Sequence, residues 1–449
     1  MSEVLAFTTT DHDAETHRKD AETHRKDGRR ALRAAMFGFF VDMYDVYLPV
    51  IALAPAIAYF SATGSSSIEM ATLTAAIFAA SLVGRPLGAI IFGSMGDRIG
   101  RRHTTIIVSA GFVICTGLIA LLPSYGAIGA LSPILLVLLR LLDGVFLGGE
   151  YTAANPLAME YAPRERRGVY GSLLNIGYPA ALGVITIITI ATLQVFPGGG
   201  IDSAYVVWGW RIPFAIGFVF SAALFLYYLR SVPESELWTK MPKVKSPLRT
   251  LFSGRNIRSL GTAFVVGSGA WLTLDGTVGV FAGHFKKMGT DVSVISTVVL
   301  ISAALGVCMF PFIGAAGQRF GRREVFLVLG VANLTVAPLT FALAVSNVSE
   351  PALVVVFGVV SIVTALTVWA MITAYIMEMF PTEVRSSGYG IAYSLPSVIP
   401  AFFTYYMLGL GNVMPYDYTP VVIIAAGGLC LLVGAYISKD LRHVHLENA

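Results

Sequence analysis

The chain alternates continuous apolar stretches of roughly 20 residues with short blocks that hold most of its Lys, Arg, Asp and Glu. A helix rising about 1.5 Å per residue needs about that length to cross a hydrocarbon core about 30 Å thick. Only 13% of the 449 residues are charged and 55% are hydrophobic. That is too little charge to cover the two or three soluble domains a chain of this length would otherwise form. The pattern implies an all-α, polytopic membrane protein. It argues against a transmembrane barrel, whose strands would read as segments of about ten residues with alternating polarity.

Twelve spans are predicted, at about 34–58, 70–94, 104–123, 133–158, 169–194, 210–229, 259–282, 293–314, 325–344, 352–377, 388–409 and 418–437. An even number puts both termini on one side. Arg85 and Arg140 fall inside spans, and Arg211, Lys286 and Lys287 fall on the far side. All the rest of the 31 Lys and Arg lie in the two tails and the loops after spans 2, 4, 6, 8 and 10. Cationic loops stay cytoplasmic, so both tails are expected inside, in a plasma membrane or bacterial inner membrane. Residues 1–33 lack the apolar core of a signal peptide, so span 1 itself is expected to direct insertion. They repeat AETHRKD at 14–20 and 21–27 without an apolar heptad pair, which predicts a solvated, disordered cytoplasmic tail rather than a coiled coil.

The chain also repeats itself. Gly93-Ser-Met-Gly-Asp97-Arg98-Ile-Gly100-Arg101-Arg102 follows span 2, and Gly314-Ala-Ala-Gly-Gln318-Arg319-Phe-Gly321-Arg322-Arg323 follows span 8, an offset of 221 residues. Glu160-Tyr-Ala-Pro163-Arg-Glu165-Arg-Arg167 after span 4 matches Glu378-Met-Phe-Pro381-Thr-Glu383-Val-Arg385 after span 10, at an offset of 218. Two matches at nearly one offset imply homologous six-helix halves, 34–231 and 259–438, joined by a polar cytoplasmic loop at 232–258 and followed by a tail at 439–449. Carriers that rock two halves about a midplane site have this architecture. Glycines permit tight turns and close helix approach, and an Asp at a helix end can pair with arginines or another helix terminus. Asp97, Arg98, Arg101, Arg102, Arg319, Arg322, Arg323, Glu160, Arg167, Glu378 and Arg385 are therefore candidates for a cytoplasmic latch or gate.

These loops resemble the signature of the major facilitator superfamily, and the resemblance covers the chain after residue 30. A narrower likeness is to its metabolite:proton symporter branch. It is carried by Gly38-x-x-x-Asp42-Met-Tyr44-Asp45, Arg85-Pro86-Leu-Gly88, Arg140-x-x-x-Gly144-x-x-x-Gly148-Gly-Glu150-Tyr151, Trp210-Arg-Ile-Pro-Phe214 and Pro233-Glu234-Ser235. The branch usually has Glu-Trp where Asp42-Met43 stand, and Gln at Asp143. The second-half counterpart of Arg85 is Gly306.

Ionisable groups inside a bilayer cost about 2.5–3.5 kcal/mol each on insertion scales, which makes every one a functional candidate. They are Asp42, Asp45, Arg85, Arg140, Asp143, Glu150 and Asp275. No histidine lies deep in a span, so coupled protons would ride on a carboxylate. A carboxylate that alternately meets and loses an arginine can bind and release one. Asp42 and Asp45 share a face of span 1. In the related sugar porters a helix 1 Asp works with a helix 4 Arg as a proton switch, and the resemblance assigns those positions to Asp45 and Arg140. A permanent structural ion pair is the alternative.

Arg85 has no acid within one turn in sequence. Either a bound carboxylate, held bidentately by its guanidinium, or a span 1 Asp meets its charge. Asp143 stands one turn from Arg140 and trims its charge, and Glu150 suits either a cytoplasmic latch or proton work. Asp275, Tyr44, Tyr47, Asn175, Tyr178, Trp369 and Tyr393 are candidates to line the substrate cavity, and Pro396 and Pro400 predict kinks in span 11.

Cys115, Cys308 and Cys430 lack metal-ligand spacing, no phosphate-binding Gly-rich loop with Lys-Ser/Thr is present, and no nucleophile stands with a base. The expectation is a non-enzymatic proton symporter of a small organic acid, without cofactor or nucleic-acid partner, working as a monomer in the lipid bilayer on protons and a small-molecule substrate. Five embedded acids against two arginines leave the substrate's charge open. A zwitterionic compatible-solute symporter, a metabolite or drug exporter, and a transport-like sensor are the alternatives.

Overall fold

The structure is a computed structural model that describes residues 2–240 and 246–444. Residues 241–245 of the expected connector and 445–449 of the expected tail lie outside the described residues. Twelve helices are long and apolar enough to cross a membrane: Arg25–Phe60, Glu69–Ile99, Arg101–Ala120, Leu131–Glu160, Arg164–Val195, Tyr205–Ser231, Gly254–Lys287, Val292–Phe320, Arg322–Ser346, Pro351–Met377, Thr382–Leu410 and Tyr416–Ile437. They are spans 1–12 below, and no strand occurs among the described residues.

The N-terminal tail differs from expectation. It runs as one helix, Ser2–Tyr47, into span 1. Ala, Glu, Lys and Arg are strong helix formers, and extending a nucleated helix costs far less than starting one. Glu22 and Lys26, four apart in the second heptapeptide, form an ion pair of 2.9 Å.

The two halves meet through pairs related by the repeat, span 2 against span 11 and span 5 against span 8. Gly93 faces the Ser387 backbone, and Gly314 faces Gly168 and Ser172. Inside the first half, spans 2 and 4 cross where a Cβ on Gly84, Gly88, Gly144 or Gly148 would run into the opposite backbone. This contact explains the glycine spacing of the Arg85 and Arg140 motifs, because both arginines spring from a crossing too tight for side chains. Each basic loop turns on a glycine with positive φ, Gly100 at 112° and Gly321 at 121°, a conformation side chains rarely adopt.

Several spans are broken at mid-depth. Span 1 passes from α-helix into a π turn at Leu48–Leu53 and a 3-10 turn at Ala54–Phe60, where Pro49 and Pro55 lack N–H donors. In span 5, helix Arg167–Asn175 restarts at Gly177, two residues before Pro179. Span 7 carries a π turn at Asp275–Gly279, and in span 10 the helix ending at Thr367 restarts at Trp369. Span 11 loosens into 3-10 turns at Leu395–Val398 and Pro400–Phe402, at the two expected prolines.

Candidate functional site

Broken helices leave backbone groups that need partners. Tyr47, Asn175, Tyr178, Asp275, Trp369 and Tyr393 lie at or beside these breaks, whereas Arg85, Arg140 and Glu150 come from the unbroken helices of spans 2 and 4. Arg85 Nη2 donates to Asp42 Oδ1 at 2.6 Å, so a span 1 Asp meets its charge. The guanidinium also lies over the rings of Tyr151 at 5.6 Å and Trp271 of span 7 at 5.9 Å, which places it at the boundary between the halves. Trp271 packs edge-on against Trp369 at 4.7 Å, and Tyr393 touches both, as well as Tyr151 at 4.5 Å. Tyr178 borders Trp369, and its hydroxyl bonds that of Tyr47 at 2.9 Å.

Around this aromatic box several buried polar atoms have no hydrogen-bond partner among the described residues: Arg85 Nε and Nη1, Asp42 Oδ2, both Asp275 oxygens, Trp369 Nε1 and Tyr393 Oη. Unpaired buried donors and acceptors are costly, and a polar ligand between the halves would satisfy them.

Two expected cavity residues are engaged elsewhere. Tyr44 turns toward span 6, donating to Pro213 O at 2.9 Å and packing on Phe220. Asn175 bridges the halves instead of facing a ligand. Its amide donates to Trp369 O, the carbonyl at the span 10 break, while its Oδ1 accepts from Thr373 at 2.9 Å. Thr373 bonds Tyr389 at 3.0 Å, and Asn155 Nδ2 donates to Tyr389 Oη at 2.8 Å, so this polar ladder links spans 4, 5, 10 and 11.

The second embedded pair lies wholly within the first half. Arg140 Nη1 donates to Asp45 Oδ2 at 2.6 Å and to Asp143 Oδ2 at 3.0 Å, and Thr116 Oγ1 donates to Asp45 Oδ1 at 3.2 Å. Phe214 covers the guanidinium at 5.4 Å. Glu150 is buried beside Gly38, where Tyr228 donates to its Oε1 at 3.0 Å. Its placement, away from the loop arginines, separates it from the latch.

The loop motifs, the candidates for a latch, join the two halves through polar contacts. Asp97 accepts from the Ser386 and Ser387 N–H groups at 3.1 and 2.9 Å and from Ser387 Oγ at 2.6 Å, so a span 2 carboxylate caps the N-terminus of span 11. Glu160 binds Arg101 of its own half at 2.7 Å and Arg385 of the other at 2.9 Å, and Arg101 Nη2 reaches Thr382 O at 3.2 Å. Glu234 accepts from the N–H groups of Arg101 and Arg102 at the start of span 3, which gives Pro233-Glu234-Ser235 its role.

The repeat places Gln318 where Asp97 stands. It accepts from Gly168 N at 3.0 Å, while Arg322 pairs with Glu378 at 2.9 Å. Arg167 reaches Val444 O at 2.7 Å. Not every expected latch residue takes part. Arg102 and Arg323 tie down the ends of spans 6 and 12 within their own halves, through Leu229 O and Tyr436 O, and Arg98 and Arg319 point outward. Their positions put them on the outer side of each loop helix, away from the facing half.

Sequence reasoning missed Ser386, Ser387, Tyr151, Tyr389, Asn155 and Thr373. The offset of 218 that pairs Arg167 with Arg385 also pairs Gly168 with Ser386, a signal that could have located the capped helix start. Tyr151 closes the Arg140 motif but was not singled out within it, and Tyr389 and Thr373 carry no charge to mark them.

The sequence profile of the Major Facilitator Superfamily matches residues 35–404 and 276–444. The chain is 29% identical to the inner membrane metabolite transport protein YhjE of Escherichia coli (strain K12), over 98% of this chain and 99% of that one. It is 30% identical to the shikimate transporter of the same organism, over 84% and 86% of the two chains. Its fold superposes on the proton:xylose symporter XylE bound to 6-bromo-6-deoxy-D-glucose with a TM-score of 0.73 at 15% identity, covering 93% of this chain and 98% of that one.

Proposed function

Because the chain belongs to the major facilitator superfamily, and is a membrane transporter rather than an enzyme, we propose that it is a proton-coupled symporter of a small organic acid. One observation carries the reading. Arg85 sits at the junction of the halves, balanced by Asp42 on one side, with two hydrogen-bonding atoms uncommitted and aimed among aromatic rings. A guanidinium held this way can grip a carboxylate bidentately while rings on both halves close over its apolar body. Shikimate, the named substrate of one relative, has that chemistry.

Protons are carried by the carboxylates of span 1. When the anion takes up Arg85, Asp42 loses its counter-ion, and a buried carboxylate without one binds a proton instead. Asp45 and Arg140 form the second switch, reached through movement of span 1. Glu150, with Tyr228, stands between these groups and the basic-loop face as a relay. The latch of Asp97, Glu160, Arg101 and Arg385 closes that face while the other opens, and alternating access follows from exchanging it for contacts at the opposite end.

The positive charge of the basic loops supports a cytoplasmic position for that face and both termini, in an inner or plasma membrane, with residues 34–231 and 259–438 as the rocking units and 232–258 as their connector. Both halves belong to one chain, and the working unit of this reading is the monomer.

A second reading, transport of a zwitterion, rests on Asp275, whose unpaired carboxylate would meet an ammonium as Arg85 meets a carboxylate. Uptake of labelled organic acids and of proline and betaine into proteoliposomes, with and without an imposed pH gradient, tests both. Accumulation of an acid that requires the gradient supports the symporter. Flux that ignores the gradient, or runs only outward, overturns it in favour of an exporter. Absence of any flux together with ligand-dependent association with a partner protein supports a sensor.

A further inference from the structure

A groove of about 860 Å³ opens at the basic-loop end of spans 7 and 12, away from the central site. Arg255, Arg258, Ser259 and Thr262 fall on one face of the span 7 helix at intervals of three and four, and all four line it. Lys439, just past the end of span 12, completes the rim, while Met379, Ile437 and Leu441 form its apolar side.

The three cations are exposed, and the lining includes no acid among the described residues. The nearest acids in sequence are engaged elsewhere, Glu378 with Arg322 at 2.9 Å and Asp440 with Arg442 at 3.2 Å. The groove also lies where a lipid headgroup would lie. Span 7 begins at Gly254 and span 12 ends at Ile437, so its residues sit at the boundary between spans and loops. Ile437 both lines the groove and is 53% exposed, and Val433, one turn deeper on span 12, is 47% exposed. Apolar residues that exposed along a membrane span face hydrocarbon.

We propose that this groove is a binding site for an anionic phospholipid, its phosphate held by Arg255, Arg258 and Lys439, the Ser259 hydroxyl serving a headgroup oxygen, and its acyl chains leaving over Ile437. Charge complementarity selects the class. A zwitterionic headgroup would bring a cation into a rim of three cations, and a free anion would leave the apolar side without use. Lipid bound here bridges the start of span 7 and the end of span 12, and so holds the mouth of the second half in one arrangement. The assignment is independent of what the central site carries.

The test titrates the purified full-length protein in neutral detergent with dioctanoyl phosphatidylglycerol, dioctanoyl phosphatidylcholine and inorganic phosphate, reading binding by native mass spectrometry and by thermal shift. Saturable binding of the phosphatidylglycerol alone is expected, weakened about fivefold for each of Arg255→Gln, Arg258→Gln and Lys439→Gln, and largely kept in Arg258→Lys. Equal binding of the two lipids overturns the proposal, as does unchanged phosphatidylglycerol binding in a folded triple variant. Inorganic phosphate binding with the same variant dependence would show a free-anion site and overturn the lipid assignment. Should the triple variant fail to fold, the single variants at these exposed positions carry the same comparison.

Discussion

The first half of the molecule holds six of the seven embedded charges, while the second contributes Asp275 and the box of Trp271, Trp369 and Tyr393. The same inequality recurs at the latch, where Asp97 caps span 11 with a carboxylate and Gln318 meets span 5 with a neutral amide. Two halves of common descent have thus divided the work. One holds most of the buried charge, and the other holds most of the aromatic box. Within the first half the two ion pairs differ in the same spirit. Asp42–Arg85 touches the partner half, whereas Asp45–Arg140 is enclosed by spans 1, 3, 4 and 6.

Removing Arg85 should break this division most severely. Arg85→Gln strands Asp42 and removes the anion clamp, and loss of one partner of a buried pair typically costs about 3–5 kcal/mol. Uptake of an acid should fall by at least about a hundredfold, measured as initial rates in proteoliposomes at equal protein incorporation. Retained uptake would remove Arg85 from the substrate's path.

Asp45→Asn acts on the enclosed pair and should split two activities. Accumulation driven by a pH gradient should disappear while exchange of labelled for unlabelled substrate persists. Full gradient-driven accumulation would reduce Asp45–Arg140 to a structural pair.

The latch asymmetry predicts a smaller, graded effect. Asp97→Asn weakens inter-half hydrogen bonds to a charged acceptor worth about 1.5–3 kcal/mol each, while Gln318→Ala gives up neutral inter-half bonds with Gly168 and Arg164 worth about 0.5–1.5 kcal/mol each, besides a bond from Arg322 within its own half. Cysteine labelling of the cytoplasmic face should therefore rise more in the first variant than in the second. Equal responses would mean that the halves are latched alike.

Asp275→Asn sharpens the reading of the second half. With an anionic substrate, uptake should hold or improve a fewfold, because a nearby negative charge is removed. For a zwitterion it should collapse. Parallel uptake of an acid and of betaine reads the difference.

Much of this was legible in the chain. The twelve spans follow from length and hydropathy, because the bilayer imposes one dimension on every crossing. The internal repeat singles out Asp97, Arg101, Glu160 and Arg385, which do make contacts between the halves, and the family resemblance singles out Asp45 and Arg140, which form an ion pair. The N-terminal tail was misread, since its heptapeptide shows solvation and not the pull of an adjoining helix. Tyr44 and Asn175 were placed in the cavity on residue type alone. Their hydrogen-bond partners lie 169 and 194 residues away, beyond the reach of local spacing.

By itself the sequence determined how many times the chain crosses, which loops carry the positive charge, that the molecule is doubled, and which ionisable groups are sunk in apolar surroundings. These are consequences of local composition and of periodicity, and no folding is needed to read them. Only the tertiary structure decided who meets whom: that Arg85 is balanced by Asp42 and faces span 7, that Glu150 answers to Tyr228, and that Asp97 caps a helix 290 residues further on. The physical reason is that a buried charge needs some partner, and the chain's composition states the need while the packing of helices distant in sequence selects the partner.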